Sequence, residues 1–202
     1  MITLYHAPKT RSHLMRFVME ETGLEHTLVR LDATKGEHKA PSYLAVSPLG
    51  QLPAITDGAT TICEAAAIAL YLTEKAPAAK LAPLAGDPKR AEYLHWVVFS
   101  VATQLIALSK IALNTIFLPE PMRNPATAAE GRAAWTTWIA PVIGRAVTGK
   151  RWLLGDDFTT ADIMVGGSLW LAKQIDGLND PALVAYYGRV SDRPGFQRAF
   201  AD

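Results

Sequence analysis

The chain has 202 residues, half of them hydrophobic, which allows one large domain or two small ones with a sizeable core. Lys and Arg together number 20 and Asp and Glu 19, so the charges nearly cancel. This balance argues against a broad nucleic-acid surface or a basic membrane anchor. A single cysteine, Cys63, excludes an internal disulfide and favours a reducing compartment.

The N-terminus runs directly into strand-like sequence, without the basic and apolar pattern of a secretion signal. The longest apolar stretch, residues 97–118, is interrupted by Ser100, Thr103, Gln104, Ser109, Lys110 and Asn114. We therefore expect no membrane span. Together with the charge balance, this predicts a cytoplasmic protein with neither a membrane nor a nucleic acid as partner.

The first 75 residues alternate strand and helix signals in the order βαβ, short α, then ββα. Gly23 ends the first helix, Asp57-Gly58 is a hairpin turn signal, and Pro77 follows the last helix. The predicted segments are Ile2–Tyr5, Ser12–Thr22, His26–Leu31, Pro41–Val46, Pro53–Thr56, Thr60–Ile62 and Glu64–Lys75.

The second part of the sequence carries helix signals only. Residues 76–87 contain two prolines and a glycine and are predicted to be a linker. Beyond them, Asp87-Pro88, Asn124-Pro125 and Asp180-Pro181 each place a capping side chain before a proline at the first helical position. We therefore predict two domains: an α/β domain over residues 1–78 and an all-helical domain over residues 88–202.

The segment Gly50-Gln51-Leu52-Pro53-Ala54-Ile55 leads into the third strand. If the peptide bond before Pro53 is cis, Leu52 turns its backbone outward and an extended peptide can pair with it. The other interpretation is a trans-proline that simply starts a strand, and base rates for X–Pro bonds favour it.

A second segment, Ile62-Cys63-Glu64-Ala65, passes from a strand into an alanine-rich helix. The N–H groups at a helix start can bind a carboxylate, and Glu64 could meet an ammonium group there. Alternatively, Glu64 only complements the helix dipole. Cys63, at a strand end, is expected to be buried and inert.

Taken together, the two segments in this order resemble the glutathione transferase superfamily. The helical part agrees, because Phe158-Thr159-Thr160-Ala161-Asp162-Ile163 is similar to the capping box of that family, with Thr159 as the cap. Residues Arg189–Phe200 are similar to the last helix of bacterial members. The resemblance covers nearly the whole chain. It implies a thioredoxin-like N-terminal domain and an all-α C-terminal domain.

The resemblance also implies a glutathione site. The resemblance implies a cis peptide bond between Leu52 and Pro53, so that the Leu52 backbone would pair with the cysteinyl part. Gln51 would lie beside it, and Glu64 would bind the γ-glutamyl ammonium. The family usually has a serine next, where this chain has Ala65, so only a backbone N–H remains for the γ-glutamyl carboxylate. His38 and Lys39 resemble the phi-class pair near the glycyl carboxylate, although a solvated loop is nearly as good an interpretation.

The family holds the glutathione thiol as a thiolate with a Ser, Cys or Tyr near the end of the first strand or the start of the first helix. Here Thr10 aligns best with that position and Ser12 is the second candidate, although Ser12 could simply cap the first helix. Tyr5 is expected in the core, and Arg11 to add positive potential. This loop contains no cysteine, which argues against thiol–disulfide chemistry.

The implied activity is conjugation of glutathione, as co-substrate and without a metal, to small hydrophobic electrophiles, a detoxifying reaction. The electrophile pocket would involve Trp96, Phe99, Ser100 and Thr103, which recur on one face of the fourth helix, although ordinary core packing explains that face equally well. The alternative is a non-catalytic ligand-binding or protein-interaction module. The resemblance further implies a homodimer. The core is expected to hold Trp135, Trp138, Trp152 and Trp170.

Overall fold

The computed structural model describes residues 1–202, which divide into two compact units. The first unit comprises Met1–Ala82 together with Arg193–Asp202, and the second comprises Pro83–Asp192. The boundaries differ from the predicted ranges 1–78 and 88–202 mainly at the C-terminus, because the last ten residues group with the first unit.

Two contacts hold the C-terminal residues within the first unit. The Arg193 guanidinium donates to the Glu21 carboxylate, with Nε 2.9 Å from Oε1. The Phe196 ring packs edge-on against Phe17, with 5.6 Å between ring centroids. Both pairs join residues more than 170 positions apart, so no local sequence pattern could reveal them.

The first unit is built on a four-stranded mixed sheet with strand order β2-β1-β3-β4. β1 pairs in parallel with β2 and antiparallel with β3, and β3 and β4 form the predicted hairpin. This topology confirms the predicted thioredoxin-like domain. The elements are β1 Ile2–His6, α1 Ser12–Thr22, β2 His26–Arg30, α2 Pro41–Leu44, β3 Ala54–Asp57, β4 Thr60–Cys63 and α3 Ala65–Lys75.

The second unit is helical, as predicted. Its helices are α4 Arg90–Phe99, α5 Leu105–Ala112, α6 Pro125–Ala134, α7 Ala140–Val147, α8 Thr160–Gln174 and α9 Pro181–Ser191. Asn124 and Asp180 cap α6 and α9 as expected, each accepting hydrogen bonds from two backbone N–H groups. Asp87 instead accepts from Lys89 N–H in a turn that precedes α4.

The predicted last helix over Arg189–Phe200 is wrong as a single helix. The chain forms α9 up to Ser191 and then α10 over Pro194–Ala199. Pro194 lacks a backbone N–H and pushes Arg193 towards extended backbone, observed at φ −70° and ψ 134°. The break therefore falls between two helices that belong to different units.

α4 and α5 belong to one helical run, Arg90–Phe117, with π-helical turns at Ser100–Gln104 and Leu113–Phe117. This run of 28 residues is long and apolar enough to cross a membrane by length and composition, and half of its most apolar window is buried in the structure. A core helix of a folded domain has the same properties, so this run is weak evidence for a membrane span.

The capping box at the start of α8 is formed as predicted. The buried Asp162 carboxylate accepts from the N–H of Thr159 at 2.9 Å, from the N–H of Leu153 at 2.9 Å and from the Tyr186 hydroxyl at 2.9 Å. Burial raises the pKa of Asp162, and these donated hydrogen bonds oppose that shift. Asp162 therefore joins the loop before α8 to both α8 and α9.

The predicted tryptophan core is confirmed for Trp135 and Trp152, and Trp170 is half-buried. The expectation is wrong for Trp138, whose side chain is 71% exposed. Residues Trp135–Ile139 form a π-helical turn, which changes the angular step along the helix and separates the directions of Trp135 and Trp138.

Candidate functional site

A cleft of about 190 Å³ opens in the first unit where β3 and α3 begin. Five of the residues that line it were predicted as site residues from the sequence: Gln51, Leu52, Pro53, Glu64 and Ala65. The remaining lining residues are Arg11, Ser47, Pro48, Leu49 and Cys63.

The β3–β4 ladder brings the two halves of this cleft together. Ala54 pairs with Cys63 at the end of the antiparallel ladder. Pro53 and Glu64 are each one residue beyond that pair, so they lie beside each other although eleven positions separate them in the sequence. The same pairing places the half-buried Cys63 in the lining of the cleft. A prediction that Cys63 lines the cleft would have required the register of the β3–β4 ladder.

The segment before β3 is anchored through Gln51. The Gln51 carbonyl accepts hydrogen bonds from the Tyr43 hydroxyl at 2.6 Å and the Ser47 hydroxyl at 3.0 Å, and its N–H donates to Ser47 Oγ at 3.1 Å. Burial raises the pKa of Tyr43 to about 12, which keeps its hydroxyl a donor. Ser47 lines the cleft because these hydrogen bonds close the loop, although it was not predicted from the sequence as a site residue.

The neighbouring Leu52 backbone is open. Its N–H and C=O have no hydrogen-bond partner within the chain, since the β1–β3 ladder begins at Ala54. The Leu52–Pro53 peptide bond is cis, as predicted. Leu52 therefore offers one donor and one acceptor to an extended ligand, in the manner of an added strand.

Gly50 is required by the same loop. Its φ of +59° lies in the left-handed region, and a Cβ there would lie 2.5 Å from the carbonyl oxygen of His38. Any other residue would therefore displace the loop that positions Leu52.

Glu64 adopts a strained backbone at the start of α3. Its φ of +70° is unusual for a residue with a side chain and costs about 1–3 kcal/mol. The side chain is exposed to the cleft and makes no capping hydrogen bond, so the first N–H groups of α3, beginning at Ala65, have no side-chain acceptor. A carboxylate acceptor thus stands beside free N–H groups that attract an anion.

The loop from Ala7 to Arg11 carries the proposed thiol-activating residues. Thr10 is half-buried and donates to the Ala7 carbonyl at 2.8 Å, whereas Ser12 is fully buried. Neither lines the cleft, but Arg11 between them does. The interpretation of Ser12 as a helix cap is wrong, because Arg11 occupies the N-cap position of α1 and Ser12 Oγ instead contacts His6 Nδ1 at 2.8 Å.

His38 and Lys39 lie in a 3₁₀ turn and do not line the cleft. The exposed Lys39 ammonium donates to the carbonyl of Leu49 at 2.8 Å, and Leu49 is a lining residue. His38 is half-buried, and its Nδ1 is buried without a hydrogen-bond partner. Lys39 thus stands at the edge of the cleft.

The four residues proposed for the electrophile pocket lie in the second unit in different environments. Trp96 and Ser100 are buried, Phe99 is half-buried and Thr103 is exposed. The Ser100 hydroxyl donates to the Met164 carbonyl at 2.8 Å within the helical core. The π-helical turn that begins at Ser100 separates its direction from that of Thr103, which ordinary helical spacing does not predict.

His6, His13 and Asp202 have their potential ligand atoms within 4.8 Å of one another. Both nitrogens of His13 are already used, because Nδ1 lies 2.8 Å from the Ala199 carbonyl and Nε2 accepts from Lys9 N–H at 2.9 Å. Burial lowers the pKa of His6 to about 4 and lowers that of His13. We therefore interpret this group as a buried hydrogen-bonded cluster of neutral imidazoles.

Comparison with known proteins agrees with this geometry. The sequence model described as glutathione S-transferase, N-terminal domain, matches residues 1–74. The chain is 28% identical to the disulfide-bond oxidoreductase YfcG of Escherichia coli, over 98% of this chain and 94% of that protein. It is 30% identical to the probable glutathione S-transferase GSTF2 of Oryza sativa, over 90% and 86%.

Solved structures show the same fold. The bacterial GST BphK, solved as a ternary complex, superposes with a TM-score of 0.86 at 27% identity and covers 98% of both chains. The sheet topology places the first unit in the thioredoxin-like class of folds. The chain belongs to the glutathione S-transferase family.

Proposed function

We propose that this protein binds glutathione in the cleft of the first unit and transfers it to small hydrophobic electrophiles. The observation that carries the proposal is the open Leu52 backbone facing the uncapped start of α3 beside Glu64. An extended γ-glutamyl peptide would complement this arrangement, with its backbone on Leu52, its ammonium on Glu64 and its carboxylate on the α3 N–H groups. Lys39 and His38 would face its glycyl end.

Thiol activation is assigned to Thr10. A free thiol with a pKa near 8.5 is mostly protonated at neutral pH, and a hydroxyl donor at a helix start stabilises the thiolate. Thr10 directly precedes Arg11, the N-cap residue of α1, and Arg11 adds positive charge to the cleft lining. The bound thiolate would attack the electrophile directly, so the protein positions and desolvates the nucleophile and forms no covalent intermediate.

The remaining parts of the proposal extend beyond the cleft. Trp96 and Phe99 are proposed to contact the electrophile, and the protein is proposed to act as a cytoplasmic homodimer, since closed two-fold dimers are the commonest assemblies. Apolar side chains exposed on the second unit, including Val98, Ile106 and Trp138, are available for such an interface.

A non-catalytic ligand-binding role is the second candidate, and Ala65 favours it. The family's usual serine hydroxyl is absent there, so one contact to the γ-glutamyl carboxylate is lost. A glutathione-dependent disulfide reduction is also worth assaying, because the relative from Escherichia coli is named a disulfide-bond oxidoreductase.

Retention on immobilised glutathione, followed by turnover assays with a chlorinated dinitrobenzene and with a small disulfide, separates these functions. Retention with conjugation of the nitrobenzene is the expected result. Retention without turnover of either substrate would favour the ligand-binding role. Absence of retention would refute the proposed site.

A further inference from the structure

A chain of side-chain hydrogen bonds runs from the core of the first unit to Thr10. His6 Nδ1 lies 2.8 Å from Ser12 Oγ, and Ser12 Oγ lies 2.6 Å from Thr10 Oγ1. His6 and Ser12 are completely buried, and Thr10 is half-buried at the end of the chain. The orientation of the Thr10 hydroxyl is therefore coupled to the protonation of a buried imidazole.

Counting protons leaves two arrangements, because each hydroxyl has one proton to donate. If the proton of His6 is on Nδ1, it is donated to Ser12, and Ser12 donates across the shorter contact to Thr10, at 2.6 Å, rather than to the Ala7 carbonyl at 3.2 Å. The Thr10 proton is then free for the Ala7 carbonyl or for an acceptor outside the loop. If the proton of His6 is on Nε2, Ser12 donates to His6 Nδ1. In that case the Thr10 hydroxyl must donate its proton to Ser12 Oγ across the 2.6 Å contact, so the Thr10 proton points into the protein core.

The surroundings of Nε2 favour the first arrangement. Arg16 Nη1 lies 3.4 Å from His6 Nε2, and a guanidinium can only donate. The Asp202 carboxylate, 3.5 Å from Nε2, is a competing acceptor for an Nε2 proton, but it already receives ion pairs from Arg16 and Arg30. Since burial keeps the imidazole neutral near pH 7, it carries one proton, and Nδ1 is the nitrogen left to hold it.

We propose that His6 is a positioning residue for thiol activation: Arg16 holds it as the Nδ1–H tautomer, and Ser12 then donates to Thr10. The Thr10 proton is thereby left free to exchange the Ala7 carbonyl, its acceptor in the structure, for the glutathione sulfur. The inference rests on the proposed function, because it takes Thr10 as the group that contacts the sulfur. His6 itself touches no substrate and acts only through Ser12.

The tautomer can be read directly in the unmodified protein. Two-bond ¹H–¹⁵N correlation spectra of histidine-labelled protein at pH 7 distinguish a protonated ring nitrogen from an unprotonated one, and the His6→Asn variant assigns the signal. The expected result is a protonated Nδ1 and an unprotonated Nε2. A protonated Nε2, alone or together with Nδ1, would overturn the proposal. Arg16→Met should move the proton to Nε2, and an unchanged tautomer would refute the part assigned to Arg16.

Enzyme kinetics test the consequence. His6→Leu removes the donor to Ser12, and we expect kcat to fall about tenfold, as for other residues that orient a ligand-contacting group, with less than a twofold change in KM for glutathione. His6→Asn can place an amide donor near the position of Nδ1 and should retain kcat within about threefold. A purely structural role would not produce this rescue or this separation of kcat from KM.

Thr10→Val is the reference that separates the two proposals. If Thr10→Val lowers kcat and His6→Leu does not, the relay is wrong and the proposed function stands. If Thr10→Val has no effect, Thr10 is not the activator and both assignments fail. If both lower kcat, His6→Leu should add no further loss in the Thr10→Val background, because the relay acts only through Thr10. An additive loss would contradict it.

Discussion

Replacing Asp162 with alanine should destabilise the protein far more than loss of an ordinary helix cap. The carboxylate accepts hydrogen bonds from two backbone N–H groups, those of Leu153 and Thr159, and from the hydroxyls of Tyr186 and Thr159. A buried N–H left without an acceptor costs about 1–3 kcal/mol, whereas a hydroxyl can rotate to another partner. Removal of the buried charge recovers part of this cost.

The net loss should therefore be about 3–5 kcal/mol, which is typical for breaking a buried polar network. For a chain of this length the melting temperature should fall by about 6–20 °C in scanning calorimetry. The matched control is Asp180→Ala. Asp180 is half-buried and accepts from two backbone N–H groups at the start of α9, so its loss should cost about 0.5–2 kcal/mol. An Asp162→Ala variant no less stable than Asp180→Ala would refute this reasoning.

Three further predictions concern pH, ligand contacts and assembly. Because the pKa of His6 is lowered from 6.5 to about 4, the unfolded chain binds a proton between these pH values that the folded chain does not. The free energy of unfolding should therefore fall by about 3 kcal/mol as the pH drops from 6.5 to 4. Acid denaturation of His6→Asn should show a smaller loss of stability, and an equal loss would contradict the assignment. In calorimetric titration, Glu64→Gln should weaken glutathione binding about 10- to 100-fold, and Gln51→Ala should weaken it less than about threefold. Ala65→Ser should strengthen glutathione binding about 2- to 10-fold through one added hydrogen bond. A larger effect of Gln51→Ala than of Glu64→Gln would contradict this ranking. Light scattering at micromolar concentration should give the mass of a dimer, and a monomer mass would refute the proposed assembly.

The sequence predicted the parts of the site that depend on local signals. Pro53 and Glu64 each stand at the start of an element, and the hairpin turn at Asp57-Gly58 is sufficient to bring them together. The capping box at Asp162 was predictable for the same reason, since its two partners are three residues apart.

Features that depend on distant contacts could not be predicted in this way. The return of α10 to the first unit depends on Arg193 meeting Glu21. The burial of Ser12 depends on the position of His6 behind it. The exposure of Trp138 follows from a π-helical turn, which leaves no mark in the apolar pattern. Each would need the tertiary arrangement as an input.

The ultraviolet titration of the glutathione thiol in the bound state tests the central claim most directly. In the unmodified protein the bound thiol should titrate well below the free value near 8.5, and Thr10→Ser, which keeps the hydroxyl, should match it. Thr10→Val keeps the shape and removes the donor. Losing one hydrogen bond to a charged group costs about 1.5–3 kcal/mol, so the thiol pKa should rise by about 1–2 units. A bound thiol that titrates at the free value in the unmodified protein, or identically in Thr10→Val, would contradict the account.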